Sequence, residues 1–186
     1  MEYSLINGRE LRVAISGKSG CGNTTVSTLL SEKLNIAMVN YTFRSLSKEN
    51  GMPLEEILEK AKTDDSFDRI VDTKQVELAM KQSCVLGSRL AVWMLTKADL
   101  KVYLYADENV RAQRVFKREG GSLSSIIEFT RMRDAEDTKR YKKLYNIDNN
   151  DYTFVDLVID VSNKDPDTIV SLILDELVKK QCISEK

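Results

Sequence analysis

A chain of 186 residues, 42% hydrophobic and 31% charged, has the size and balance of one globular domain with a sizeable core. Its net charge of −1 gives no overall basic field, so neither nucleic acid nor a membrane surface is an expected partner. It has no histidine at all, which excludes Ser-His triads, histidine general bases and His-ligated zinc together.

In chain order, Met1 to Glu10 reads as a short polar lead with a turn at Asn7-Gly8. The apolar run Leu11 to Ile15 is a predicted buried strand. Gly17, Gly20 and Gly22 follow, and then Val26, Leu29, Leu30 and Leu34 recur at helical spacing. Strand, glycine loop and helix start make a phosphate cradle, with N–H groups turned inward and the positive end of a helix dipole behind them. The spacing Gly17 to Gly22 to Thr24 is that of the P-loop, G-x-x-x-x-G-K-[ST]. Asn23 stands in the lysine place, and an amide does not carry the charge that normally reaches the β- and γ-phosphates.

Ile36 to Val39 is a short strand. Phe43 to Glu49 reads as a helix stopped at Asn50-Gly51, and Pro53 opens another carrying Leu54, Ile57, Leu58 and Ala61. A further helix runs from about Phe67 to Lys81, with Ile70, Val71, Val76, Leu78 and Ala79 as its apolar positions. Cys84-Val85-Leu86 is a second core strand, ending at Gly87-Ser88-Arg89, and Leu90 to Leu95 is a short helical turn. Leu100 to Tyr105 is a third core strand, and Val110 to Arg118 a basic helix ending at Gly120-Gly121. Leu123 to Tyr145 is a long helix dense in charge. Leu157 to Val161 is the last core strand, and Asp165-Pro166 opens a helix packed by Ile169, Ile173, Leu174 and Leu177. Short apolar strands alternating with helices predict an α/β fold, a parallel sheet covered on both faces. Ligands of such sheets sit beyond the carboxyl ends of the strands. No apolar run approaches the roughly 20 residues of a membrane span, and the N-terminus lacks a signal-peptide pattern. Cys21, Cys84 and Cys182 show no metal or redox spacing and read as free thiols in the cytoplasm.

The order of these features resembles a nucleoside monophosphate kinase. Phe43-Arg44-Ser45-Leu46, Gly51-Met52-Pro53-Leu54-Glu55-Glu56, Arg89-Leu90-Ala91 with Trp93-Met94, and Arg140 to Asp148 are similar to the short, archaeal-type cytidylate kinases. The resemblance spans about Leu11 to Ile173. It implies a P-loop NTPase fold, a three-layer α/β/α sandwich in a single domain. The core would be about 9–39, 83–118 and 153–182, with a helical monophosphate-binding insertion at about 40–82 and an arginine-rich lid at about 119–150. It implies transfer of the γ-phosphoryl group of ATP to CMP or dCMP with Mg²⁺, small-molecule nucleotides being the expected partners. The oligomeric state stays open.

The resemblance also implies roles for residues. Gly17, Lys18, Ser19, Gly20, Cys21, Gly22, Asn23, Thr24 and Thr25 would form the ATP loop, the Thr24 hydroxyl ligating Mg²⁺ and Thr25 capping the helix. Arg44 and Arg89 would take the acceptor phosphate, since a guanidinium offers a bidentate fork. Arg131, Arg133, Asp137 and Arg140 would belong to the lid, the arginines bridging donor and acceptor phosphates and Asp137 helping to hold the nucleoside; the steps Arg133 to Asp137 and Asp137 to Arg140 share one helix face, a pattern that a solvated helix laced with ion pairs also shows. Lys18 would restore the charge absent at Asn23, in cis or in trans, or remain a solvated loop lysine. Asp68, Arg69 and Asp72 would recognise the base, or pair as helix salt bridges. The chain departs from the family pattern at Asn23, at Gly87 and Ser88 where an acid and a glycine are usual, and at Val39-Asn40-Tyr41, which lacks an acid. These departures keep a catalytically weak nucleotide-binding sensor, and a kinase of AMP or UMP, as competing readings.

Overall fold

The computed structural model of the chain describes residues 2–185. The elements begin with β1 (Tyr3–Leu5), β2 (Arg12–Gly17), α1 (Asn23–Leu34), β3 (Ala37–Val39), α2 (Phe43–Asn50), α3 (Leu54–Ala61) and α4 (Ser66–Ala79). They continue with β4 (Cys84–Gly87), α5 (Ala91–Met94), β5 (Leu100–Tyr105), α6 (Glu108–Glu119), α7 (Leu123–Tyr145), β6 (Leu157–Asp160), α8 (Pro166–Lys179) and β7 (Ile183–Glu185).

The order β3-β4-β2-β5-β6 is that of one parallel sheet with β2 at its centre. Side chains alternate across a strand, so β2 serves two cores at once. Val13 and Ile15 join Val26 and Leu30 of α1 and Ile173 and Leu177 of α8 on one face. Ala14 points the other way, to Leu86, Ala79 of α4, and Ala91, Val92 and Leu95. Both faces are therefore covered, which makes the three-layer α/β/α sandwich of the P-loop NTPases. Between β3 and β4, α2, α3 and α4 gather a separate small core of Tyr41, Leu46, Ile57 and Val71. The Asp165 side chain accepts from Thr168 N at 2.9 Å and Pro166 takes the first helical position, fixing where α8 starts. Among the described residues no helix is long and apolar enough to cross a membrane, and the three cysteines are free.

The lead is not merely polar. Tyr3–Leu5 pairs antiparallel with Ile183–Glu185, and Ile183 is buried while Tyr3 and Leu5 pack on the main core. Met1 lies outside the described residues. Three-residue strands show no alternation to detect, and the partner strand is at the other end of the chain.

Candidate active site

β2 delivers its carboxyl end straight into the glycine loop. Gly22 is in the left-handed region and forms the N-cap of α1 with no side-chain cap, so the first-turn N–H groups point at the cleft unclaimed by side chains. Behind the loop lies α6. A Cβ on Gly20 would sit 2.7 Å from the Arg111 carbonyl, and φ there is +85°; only glycine permits this approach. Arg111, 5% exposed, reaches over the loop to donate to the Ser19 carbonyl at 3.1 Å and pairs with Asp134 of α7 at 2.8 Å. Arg114 donates to the Val161 carbonyl at 2.5 Å. Holding the Ser19 carbonyl outward turns the Gly20 N–H of the same planar peptide inward.

The two unusual loop residues have definite places. Asn23 Nδ2 donates to the Gly17 carbonyl at 2.6 Å, and Asn23 Oδ1 is buried without a hydrogen-bond partner. Lys18 Nζ donates to Asn150 Oδ1 at 2.8 Å, in the loop after α7. Lys18 to Thr25 all line the main cleft, of about 980 Å³; Gly17 borders a small adjoining pocket.

The cleft continues past β4 to α4 and α7. Arg89, leaving β4, is ion-paired with Asp137 of α7. Asp137 also holds Arg140 at 2.9 Å, and Arg140 lies 3.4 Å from Asp68 of α4. One buried carboxylate thus fixes two guanidiniums and joins α7 to both the end of β4 and α4. Arg133 also lines the cleft but makes no ion pair or hydrogen bond among the described residues. Burial, and then the charge of Arg89, hold its pKa below the usual arginine value. Asp72 accepts from Tyr145 OH at 2.8 Å, and burial pushes its carboxyl up to about 6. Burial also raises Asp68, against the lowering by Arg140.

Not every expected residue reaches the cleft. Arg131 is exposed and turns to Glu108 of α6 at 2.6 Å, on the side of α7 away from Arg133. Arg69 is exposed and lies 5.5 Å over the Tyr145 ring. Arg44 is exposed on α2, although Tyr41, Thr42 and Phe43 just before it line the cleft. Gly87 sits against α1, where a Cβ would lie 2.3 Å from Ser27 Oγ and 2.7 Å from Ser27 Cβ. No acid fits there beside this serine. Sequence reading missed Arg111 and Arg114. The available signal for Arg111 was its place beside Ala112 and one turn before Val115, on the face of α6 that is buried.

The cradle fits a nucleotide phosphate: uncapped helix N–H groups, a loop held open from behind, and Thr24 exposed at its rim. For a magnesium ion bound to that phosphate, Thr24 offers a hydroxyl ligand.

Residues 12–163 match the cytidylate kinase-like family. The chain is 44% identical over 174 residues to cytidylate kinase 2 of Borreliella burgdorferi, covering 91% of this chain and 97% of that one. It is 37% identical over 180 residues to the cytidylate kinase of Archaeoglobus fulgidus, covering 95% and 100%. Among solved structures, shikimate kinase from Bacteroides thetaiotaomicron superposes with a TM-score of 0.62 at 15% identity, covering 91% and 98%, a likeness of fold.

Proposed function

The chain belongs to the cytidylate kinase-like family, and from that premise we propose that it transfers the γ-phosphoryl group of Mg-ATP to CMP or dCMP. An oxygen of the acceptor phosphate forms the new bond to phosphorus, the bond to the β-phosphate oxygen breaks, and ADP leaves. The acceptor is already anionic, so the chemistry needs positioning and charge stabilisation and no strong base. A chain without histidine suffices.

In this reading the N–H groups of Gly20 to Thr24 hold the donor phosphates; Thr25 lies inside the first turn of α1, whose N-cap is Gly22, and does not cap the helix as the sequence suggested. Thr24 presents its hydroxyl to a nucleotide-bound Mg²⁺, which when bound neutralises phosphate charge. Lys18 swings from Asn150 to supplement that charge. Arg89 receives the acceptor phosphate, joined by Arg44 as the insertion closes. Arg133 and Arg140 bridge donor and acceptor phosphates, with Asp137 orienting them, while Arg131 stays with Glu108. Asp68 and Asp72 face the base, and Arg69 braces their helix against Tyr145.

The observation that carries the proposal is Arg133. It is half-buried, forms no ion pair among the described residues, and feels the like charge of Arg89, only partly offset by Asp137, across the same cleft as the phosphate loop. Two guanidiniums so placed are relieved by an anion between them. The test is a coupled ADP-release assay with Mg-ATP and CMP, dCMP, UMP, AMP or no acceptor. Turnover selective for CMP or dCMP is expected. Binding of ATP and CMP with no turnover on any acceptor would overturn the kinase reading and leave a nucleotide-binding sensor.

A further inference from the structure

β2 and β4 lie side by side, and each ends at one half of the cleft. β2 runs into the phosphate loop at Gly17, and β4 runs out through Ser88 to Arg89. Their backbone ladder ends where Ser88 N donates to the Ile15 carbonyl at 3.2 Å. One residue further along β2 stands Ser16, fully buried, on the same face as Ala14 and turned toward α5. Its hydroxyl donates to the Ser88 carbonyl at 2.8 Å and accepts from Val92 N at 3.1 Å. The Ser88 carbonyl also accepts from Ala91 N at 3.3 Å. After Val13, Ala14 and Ile15, an alanine here would leave no polar side chain to satisfy. What the serine adds is a join between the two strands past the end of their ladder.

We propose that Ser16 is a positioning residue: it sets Arg89 relative to the phosphate loop, so that a phosphate held by the one lies in line with a phosphate held by the other. The Ser88 carbonyl and the Arg89 N–H belong to one planar peptide. The hydroxyl that holds the carbonyl therefore sets the direction in which Arg89 leaves the strand. The far end of Arg89 is held by Asp137 of α7, so Ser16 is the tether on the sheet side. Because Ser16 directly precedes Gly17, the same residue fixes the distance from the loop to the arginine. Its second bond has a different consequence. Without Ser16 the Val92 N–H, at a residue with no exposure, loses its partner, which destabilises the fold whether or not Arg89 is present. Positioning and stability are thus separable. The inference rests on the kinase reading above and adds to it the residue that couples the two phosphate sites.

The experiment is a double-mutant cycle of the wild-type protein, Ser16→Ala, Arg89→Ala and the double variant, with kcat and KM for CMP and ATP and melting temperatures alongside. Single-turnover transfer reads the slow variants. Ser16→Ala should lower kcat/KM for CMP by about 10- to 100-fold, the scale of a reacting group displaced by up to about 1 Å, with KM for ATP within about twofold. In the Arg89→Ala background no guanidinium remains to be positioned. There Ser16→Ala should change kcat/KM for CMP by less than about threefold, while lowering the melting temperature as much as it does in the wild type. Ser16→Cys, close in size and a weak donor, carries the cycle if the alanine variant does not fold. Equal losses of kcat/KM with and without Arg89, or no loss in either, would overturn the proposal. A wild-type protein that binds CMP and turns over no monophosphate would overturn the kinase reading instead. The cycle is then read in calorimetric affinity for CMP, where a loss confined to the background with Arg89 supports the positioning role and equal losses end it. A protein that does not bind CMP overturns both.

Discussion

The side-chain amide of Asn23 is tied to the Gly17 carbonyl at 2.6 Å, across the mouth of the loop that they both belong to. A carbonyl only accepts, so it must be the NH₂ that faces it, and Asn23 is occupied as a brace within the loop. Two substitutions separate brace from charge. Asn23→Ala loses one hydrogen bond, about 1 kcal/mol of stability, to be read as a lower midpoint in urea. Asn23→Lys adds a cation where the phosphates are expected. A unit charge at 4 Å contributes up to about 4 kcal/mol at an effective dielectric of 20. Steady-state kinetics should therefore show kcat/KM for ATP rising at least about tenfold. A fall would mean that the brace matters more than the charge.

Arg133 and Arg131 are two residues apart on α7 and face opposite surroundings, the cleft and Glu108. Arg133→Ala should lower kcat by about 10³- to 10⁵-fold, the range for an arginine serving a transferring phosphoryl group. Arg131→Ala should leave both kcat and KM within about twofold. Comparable losses for the two would show that the whole charged face of α7 acts together.

Gly87 stands where the family resemblance leads one to expect an acid, and Ser27 of α1 fills the space that a side chain there would need. Gly87→Asp alone is overpacked and should cost about 1–3 kcal/mol. Combined with Ser27→Gly, the cost should shrink and Mg²⁺ affinity in the presence of ATP should rise. Thermal unfolding and a magnesium titration of the double-mutant cycle check both parts.

Asp72 makes stability depend on pH. Its carboxyl is raised from 3.8 to about 6, chiefly by burial, while Tyr145, Arg140, Asp137 and Asp68 are the groups that face it from α7 and α4. Between those two values the folded protein binds more protons than the unfolded chain. Asp72 therefore contributes a loss of stability as pH rises from about 4 to about 6, and a constant one above. Asp72→Asn should flatten that part of the curve and raise the melting temperature most above pH 6. Tyr145→Phe removes a hydrogen bond that lowers this pKa, so the decline should extend to higher pH. Melting temperatures from pH 4 to 8 for the three proteins decide it.

The core strands were legible because parallel strands covered on both faces must be apolar throughout, as in Val13-Ala14-Ile15 and Cys84-Val85-Leu86. Loop and helix start were legible because phosphate cradles need glycines at fixed spacing. α4 was only half legible. Its existence follows from the pattern, yet the structure exposes Ile70 at 45% and buries Asp68, Val71, Gln75 and Ala79. A helix facing a polar cavity breaks the rule that burial follows hydrophobicity. Arg111 looked like one more charge on a basic helix. Its task depends on Asp134 and the Ser19 carbonyl, which only the tertiary fold brings to it. The pairing of Arg89 with Asp137, 48 residues on, was hidden for the same reason.

The ladder between Tyr3–Leu5 and Ile183–Glu185 brings the two ends of the described chain side by side, and β7 follows α8 at the end opposite the Asp165 cap. The fold is thus one short splice away from a ring. A linker of a few residues joining the ends would leave the sheet order intact, and the exposed Gly120-Gly121 turn between α6 and α7 is a natural place to open the new chain. Such a permuted protein would start at α7, freeing that helix from one of its two covalent tethers while the phosphate loop keeps both of its own.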